Sequence, residues 1–299
     1  MNYSIIIPHK NIPHLLQRCL DSIPRREDVQ IIVVDDNSDN NIVDFEIFPG
    51  LNDPFVEIIF GKNENGRKGA GYARNLGLER AKGKWLIFAD ADDFFMPCFN
   101  EVLDKYVDDE NDIIYFKLTS VYSDTMLPAN KHKFSMSILE RAQISKQYDV
   151  LFEFAPPWGK FIKRCLVEKY EIQFREYFWS NDVLFSVKCG INATTNFIAN
   201  EIIYCQTIRE GSLMYSHNLE SLKIRFHSNY ESVLFLKKHN KKGRRSMILL
   251  AWWNRIYFTN KKVAFFLLPN IIYSCGLNFV LKKIVFEKLK YQKNKFKFF

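Results

Sequence analysis

An α/β fold on a mainly parallel sheet with helices on both faces is predicted by three features of this sequence. They are short uninterrupted apolar runs, segments of helical spacing between them, and polar clusters that follow the runs. Residues 3–7 are a β-branched run closed by Pro8, and residues 12–23 place Leu15, Leu16, Cys19, Leu20 and Ile23 on one helical face. Residues 29–34 form a second strand ending in Asp35-Asp36-Asn37-Ser38, and residues 56–60 a third. Residues 70–81 read as a helix stopped by Gly83, and residues 85–89 as a fourth strand ending in Asp90-Ala91-Asp92-Asp93. No internal repeat or low-complexity linker interrupts the pattern.

With 299 residues, 47% of them hydrophobic, the chain can bury a full core and is not a disordered protein. Length favours one large domain with an appendage, or two small ones. The six cysteines are dispersed, with no C-x-x-C pair and no histidine at ligand spacing, so neither a zinc site nor a disulfide framework is expected. A reducing cytoplasm fits, as does an N-terminus that enters its first strand without the pattern of a secretory signal. The net charge of +8 is unevenly divided. Residues 1–222 hold 24 Lys and Arg against 32 Asp and Glu, and residues 223–299 hold 18 against 2, giving −8 and +16. Such a basic tail suits a polyanion, either nucleic acid or the anionic leaflet of a membrane.

Ligands of doubly wound sheets bind beyond the carboxyl ends of the strands. Three ends here are polar: Pro8-His9-Lys10-Asn11, Asp35-Asp36-Asn37-Ser38 and Asp90-Ala91-Asp92-Asp93. Five carboxylates on one edge repel one another unless a cation or hydrogen-bond donors offset them, which points to a metal. Asp90 and Asp92 stand at i and i+2, on one face of an extended segment, where their oxygens can meet Mg²⁺ or Mn²⁺. Asp35, Asp39 and Asp93 suit the capping of a following turn equally well.

These motifs, with Ala73-Arg74-Asn75-Leu76-Gly77, resemble the N-terminal half of family 2 glycosyltransferases in order and spacing. Pro157-Trp158-Gly159-Lys160, Ser180-Asn181-Asp182-Val183 and Arg209-Glu210-Gly211-Ser212 are similar to that family's acceptor side and closing loop. The resemblance implies a GT-A fold over residues 1–215, a helical basic region over residues 216–299, and an inverting transfer from a nucleotide diphosphate sugar to an acceptor hydroxyl. It further implies that Pro8 and Asp36 hold the base, Asp36 favouring uridine, and that Arg74 and Asn75 line the nucleotide pocket. Arg74 is equally suited to pair with the acidic cluster. By the same resemblance Asp90 lies near ribose and metal, Asp92 binds the metal, Asp182 is the base at a helix start, and Arg209 with Ser212 folds over the pyrophosphate. Asn181 departs from the pattern, which commonly has Glu there, and so places the acceptor contacts in question.

The Gly69-Ala70-Gly71 start of a dinucleotide fingerprint lacks its third glycine and follows the third strand, which argues against a nicotinamide enzyme. Trp252-Trp253 amid Lys and Arg lies in no nucleic-acid module, so no nucleic-acid partner is expected. Residues 263–281 carry no charge, yet Pro269, Asn270, Ser274, Gly276 and Asn278 interrupt them. Two short interfacial helices are expected there ahead of packing on the catalytic domain or a spanning helix. A peripheral enzyme on the inner face of the membrane with a glycan or lipid-linked glycan acceptor follows. A catalytically silent sugar-nucleotide-binding scaffold and a nucleotidyltransferase are the alternatives.

Overall fold

The computed structural model describes residues 1–61, 69–146, 148–209, 218–241, 245–277 and 280. The chain divides into two compact units, Met1–Ser216 and His217–Phe299.

In the first unit the strands are β1 (Tyr3–His9), β2 (Val29–Asp35), β3 (Val56–Phe60), β4 (Trp85–Phe88), β5 (Phe94–Phe95), β6 (Ile113–Tyr122), β7 (Lys160–Lys163) and β8 (Asn196–Ile208). They form one sheet in the order β3-β2-β1-β4-β7-β6-β8-β5. Helices α1 (Pro13–Asp21), α2 (Ala70–Arg80), α3 (Phe99–Tyr106), α4 (Lys133–Ser145), α5 (Arg164–Lys169) and α6 (Val183–Asn192) flank it.

The half β3-β2-β1-β4 is wholly parallel. Its two central strands, β1 and β2, are buried at every position, and the polar pair within them is satisfied internally, Ser4 donating its hydroxyl to Gln30 Oε1 at 2.8 Å. Beyond β4 the sheet becomes mixed, because β7 runs antiparallel to both β4 and β6, while β6 and β8 pair in parallel.

Pro8 lies inside β1, one residue short of its end, where it had been expected to close the strand. The carbonyl of Ile6 faces β4, accepting the Ala89 N–H, and residues alternate sides, so the Pro8 nitrogen also faces β4. Pairing with β4 stops at Ile6, so the missing N–H falls where no partner is needed.

Helix α2 is packed so closely that Gly71 has no room for a side chain. A Cβ there would sit 1.9 Å from the Arg175 carbonyl oxygen and 3.0 Å from the Asn181 Cβ. Gly71→Ala is therefore expected to destabilise the protein by about 2–3 kcal/mol or more, read as a lower urea midpoint.

The second unit contains helices α7 (Leu219–Lys238), α8 (Arg245–Thr259) and α9 (Lys261–Cys275), with α8 packed against both others. Leu222, Phe226, Leu249, Trp253, Ile256 and Ile271 are among its core residues. Asn218 and Asn260 cap α7 and α9, accepting the N–H groups of Ser221 and Val263.

Within 263–281, where two short helices were expected, α9 runs through Pro269 and ends at Cys275, Gly276 breaks it at a φ of 83°, and Leu277 and Val280 are again helical. Proline deprives the carbonyl four residues back of its donor. That residue, Phe265, lies on the exposed face of α9, where water can supply the bond. Among the described residues no helix is long and apolar enough to cross a membrane.

Candidate active site

Strand β1 lies between β2 and β4, so the polar ends of all three meet on one edge of the sheet. Pro8 is buried there. The next residue organises the edge. The Nδ1 of His9 lies 2.7 Å from Asp35 Oδ1, and its Nε2 accepts the Ile12 N–H at 3.1 Å. The accepting Nε2 places the imidazole proton on Nδ1, donated to Asp35. Asp35 also receives the Ser38 N–H and hydroxyl. Burial alone would raise its pKa, but these donors outweigh that and hold it below the ordinary carboxylate value. Asp35 thus braces the loop, the turn-supporting role that its sequence position allowed. Asp39 has a similar local role, accepting the Asn41 N–H.

Asp36 is 3% exposed, and both its oxygens lie 2.9 Å from the Gly69 nitrogen at the start of α2. Burial raises its pKa, an effect that the Gly69 N–H and the nearby Lys10 ammonium, 3.5 Å away, partly offset.

Beyond β4, Asp90, Asp92 and Asp93 each offer an oxygen within 4.8 Å of the others. Their surroundings give them different work. Asp93 is buried, with Oδ2 accepting the Tyr204 hydroxyl and Oδ1 the Thr207 N–H. Burial pushes its pKa well above the ordinary value, and the charges of Asp92 and Asp90 add to the effect. Both oxygens being engaged, Asp93 holds the loop to β8. Asp90 and Asp92 are partly exposed and supply the hard oxygen donors that Mg²⁺ or Mn²⁺ prefers, so the donor chemistry fits such an ion. The positive charge beside them comes from arginines: Arg74 Nη2 lies 2.6 Å from Asp90 Oδ1, and Arg209 Nε lies 2.8 Å from Asp92 Oδ2.

Arg74 thus pairs with the acidic cluster, one of the two roles that its sequence position allowed, and its Nη1 donates to Asn181 Oδ1 at 2.7 Å. Asn75, expected to line the nucleotide pocket, grips the backbone of Phe174 through both ends of its amide and also donates to Glu176. Asp182 occupies the N-cap position of α6 but makes no capping hydrogen bond to that helix. Ser212 lies outside the described residues.

Three further groups fasten this edge, of which only Trp158 lay in a motif singled out from the sequence. Tyr204 accepts the Asp90 N–H and stacks on Trp158, whose indole N–H donates to Asp90 Oδ2, while Thr207 donates its hydroxyl to the Asp92 carbonyl. A tyrosine amid the apolar residues of β8 was the available signal, since a buried phenol needs a partner.

Polar strand ends meeting on one sheet edge, with a cluster of carboxylates beyond β4, match the arrangement expected of a glycosyltransferase. The chain belongs to glycosyl transferase family 2, whose family model matches residues 4–170, more than half of its length. It is 23% identical over 247 residues to a putative glycosyltransferase, EpsH, of Bacillus subtilis, covering 80% of this chain and 70% of that protein. It is 26% identical over 185 residues to the GalNAc(5)-diNAcBac-PP-undecaprenol beta-1,3-glucosyltransferase of Campylobacter jejuni, covering 60% and 56% respectively. Among solved structures, Staphylococcus aureus TarS 1-349 in complex with UDP-GlcNAc aligns at a TM-score of 0.62 with 21% identity, covering 92% of this chain and 80% of that one. The mannosyltransferase PcManGT of Pyrobaculum calidifontis, in complex with GDP-Man and Mn2+, aligns at 0.53 with 15% identity, covering 95% and 86%. The fold is GT-A, a mixed sheet flanked by helices with further helices at the C-terminus.

Proposed function

We propose that this chain is an inverting, metal-dependent glycosyltransferase that moves a sugar from a UDP-sugar to a hydroxyl of a glycan or lipid-linked glycan. The observation that carries this reading is the bridge made by Arg74. It holds the donor-side Asp90 with one nitrogen and Asn181, the residue before Asp182, with another.

In this reading Pro8 and Asp36 receive the uracil, Asp36 accepting its imide N–H with lone pairs left over from the Gly69 contact. Asp92, with Asp90, holds a divalent cation, which when bound neutralises charge on the diphosphate leaving group. Asp182 takes the acceptor hydroxyl proton as that oxygen attacks the anomeric carbon and the bond to the diphosphate breaks. The N-terminus of α6 favours negative charge at that position. Arg209, with Ser212, faces the pyrophosphate. The relative acting on an undecaprenol-linked glycan and the UDP-GlcNAc complex of TarS support the acceptor and donor classes. The test is a screen of UDP-sugars for release of UDP with Mn²⁺ and with EDTA. Release that is unaffected by EDTA would reject metal dependence, and no release from any of them would reject the donor class.

Residues 1–215 are the catalytic domain in this proposal, and residues 216–299 seat it on the inner face of the cell membrane. Phe265 and Phe266 are 67% and 87% exposed on α9, beside Lys261 and Lys262. Exposed aromatics next to lysines suit the interface of an anionic bilayer, where each basic residue contributes about 1 kcal/mol. Sedimentation with anionic vesicles is expected to show partial release by high salt and full release by detergent. Salt-sensitive binding of single-stranded DNA without vesicle association would overturn the membrane reading.

A further inference from the structure

Among the described residues two arginines pair with the carboxylates after β4, and they differ in exposure. Arg74 is fastened by Asp90 and Asn181, with its guanidinium 5.4 Å from the Phe174 ring centre, and its side chain is 6% exposed. Arg209 follows the last residue of β8 and meets Asp92 at the surface, with 26% of its side chain exposed. We propose that Arg209 is a resident counter-ion of Asp92 that a divalent cation must displace, whereas Arg74 remains on Asp90. The proposal rests on the metal reading given above.

Arg209 and the cation compete because they need the same thing. Asp92 belongs to a group of three carboxylates whose charges are destabilising when uncompensated, and the Arg209 guanidinium offsets the charge of Asp92. A guanidinium has no lone pair with which to ligate a metal, so it cannot become part of the coordination shell. It can only face the cation across one carboxylate, where like charges repel.

A second observation fixes where a displaced Arg209 goes. Thr207, two residues earlier, donates its N–H to Asp93 and its hydroxyl to the Asp92 carbonyl. The backbone that bears Arg209 is thereby tied to the cluster, and the released charge stays beside the cation. An anionic diphosphate is the ligand it then meets. Arg209 therefore opposes the metal when nucleotide is absent and favours the loaded site when UDP is present.

This change of sign can be measured without turnover. Mn²⁺ would be titrated into the full-length protein, with free ion read by electron paramagnetic resonance, for wild type, Arg209→Met and Arg209→Lys, with and without saturating UDP. Arg209→Met is expected to bind Mn²⁺ alone about 3- to 10-fold more tightly than wild type, and to bind it more weakly than wild type when UDP is present. Arg209→Lys, which keeps the charge, is expected to resemble wild type in both conditions. Mn²⁺ affinity in Arg209→Met that is unchanged or lower without UDP would overturn the proposal.

Should Arg209→Met fail to fold, the arginine Nε–H resonance of Arg209 in the wild-type protein decides instead. It should move when Mg²⁺ is added alone, and no movement at saturating Mg²⁺ would overturn the exchange. Absence of Mn²⁺ binding in every variant would remove the metal reading as well, whereas binding indifferent to Arg209 removes the exchange alone.

Discussion

Asp182→Asn is expected to lower glycosyl transfer by about 10²- to 10⁴-fold while leaving UDP binding intact, the range associated with loss of a positioned general base. Asparagine keeps the size and polarity of the side chain at the start of α6, so the acceptor face stays in place. What it cannot do is take the proton from the attacking hydroxyl. Asp182 makes no capping hydrogen bond to α6, so the substitution should not unravel that helix. Transfer rates under saturating donor, set beside UDP affinity by calorimetry, provide the check. Full activity would remove Asp182 as the base, and lost UDP binding would move it to the donor side.

Asp92→Ala should remove the dependence of UDP binding on divalent cation altogether. The substitution deletes one of the two partly exposed carboxylates after β4 and leaves Asp90, which already pairs with Arg74 and Trp158. A single engaged carboxylate is a poor site for an ion that prefers several hard oxygens. UDP affinity with Mn²⁺ should therefore fall to the value measured in EDTA. The two conditions are compared in one titration, and an affinity that still rises on adding Mn²⁺ would exclude Asp92 as a ligand.

The parallel half of the fold was legible because its signals are local. The runs that became β1 to β4 are mostly apolar, broken only by Ser4, Gln30 and Glu57 before the polar ends, and α1 and α2 lie within the segments of helical spacing expected for them. The other half was less so. Strand β7 is only four residues long, Lys-Phe-Ile-Lys, and it is placed by pairing with β4 and β6, which no local pattern encodes.

The same division runs through the site. That Asp36, Asp90 and Asp92 share one edge followed from strand ends. Whether Asp93 fastens and Asp35 braces stayed open in the sequence, because their partners Tyr204 and His9 lie 111 and 26 residues away. Arg74 had been open between two roles, and only the fold brings Asn181, 107 residues distant, against its second nitrogen. Asn181 also gains a meaning here: its amide oxygen accepts the arginine without the charge of the usual Glu.

The fastening of the β4 loop by β8 has a consequence for synthesis. Every side chain from β8 and its end that secures residues 90–93 lies 111 to 117 residues downstream. While the ribosome is still making β6 and β7, the three aspartates have neither Tyr204 and Thr207 as donors nor Arg209 as counter-charge. The carboxyl edge of the sheet thus remains electrostatically unfinished until β8 has emerged, and such late, distant pairings slow folding. A nascent chain halted before residue 196 should show its parallel strands formed but this loop open to protease, and release of the next fourteen residues should close it.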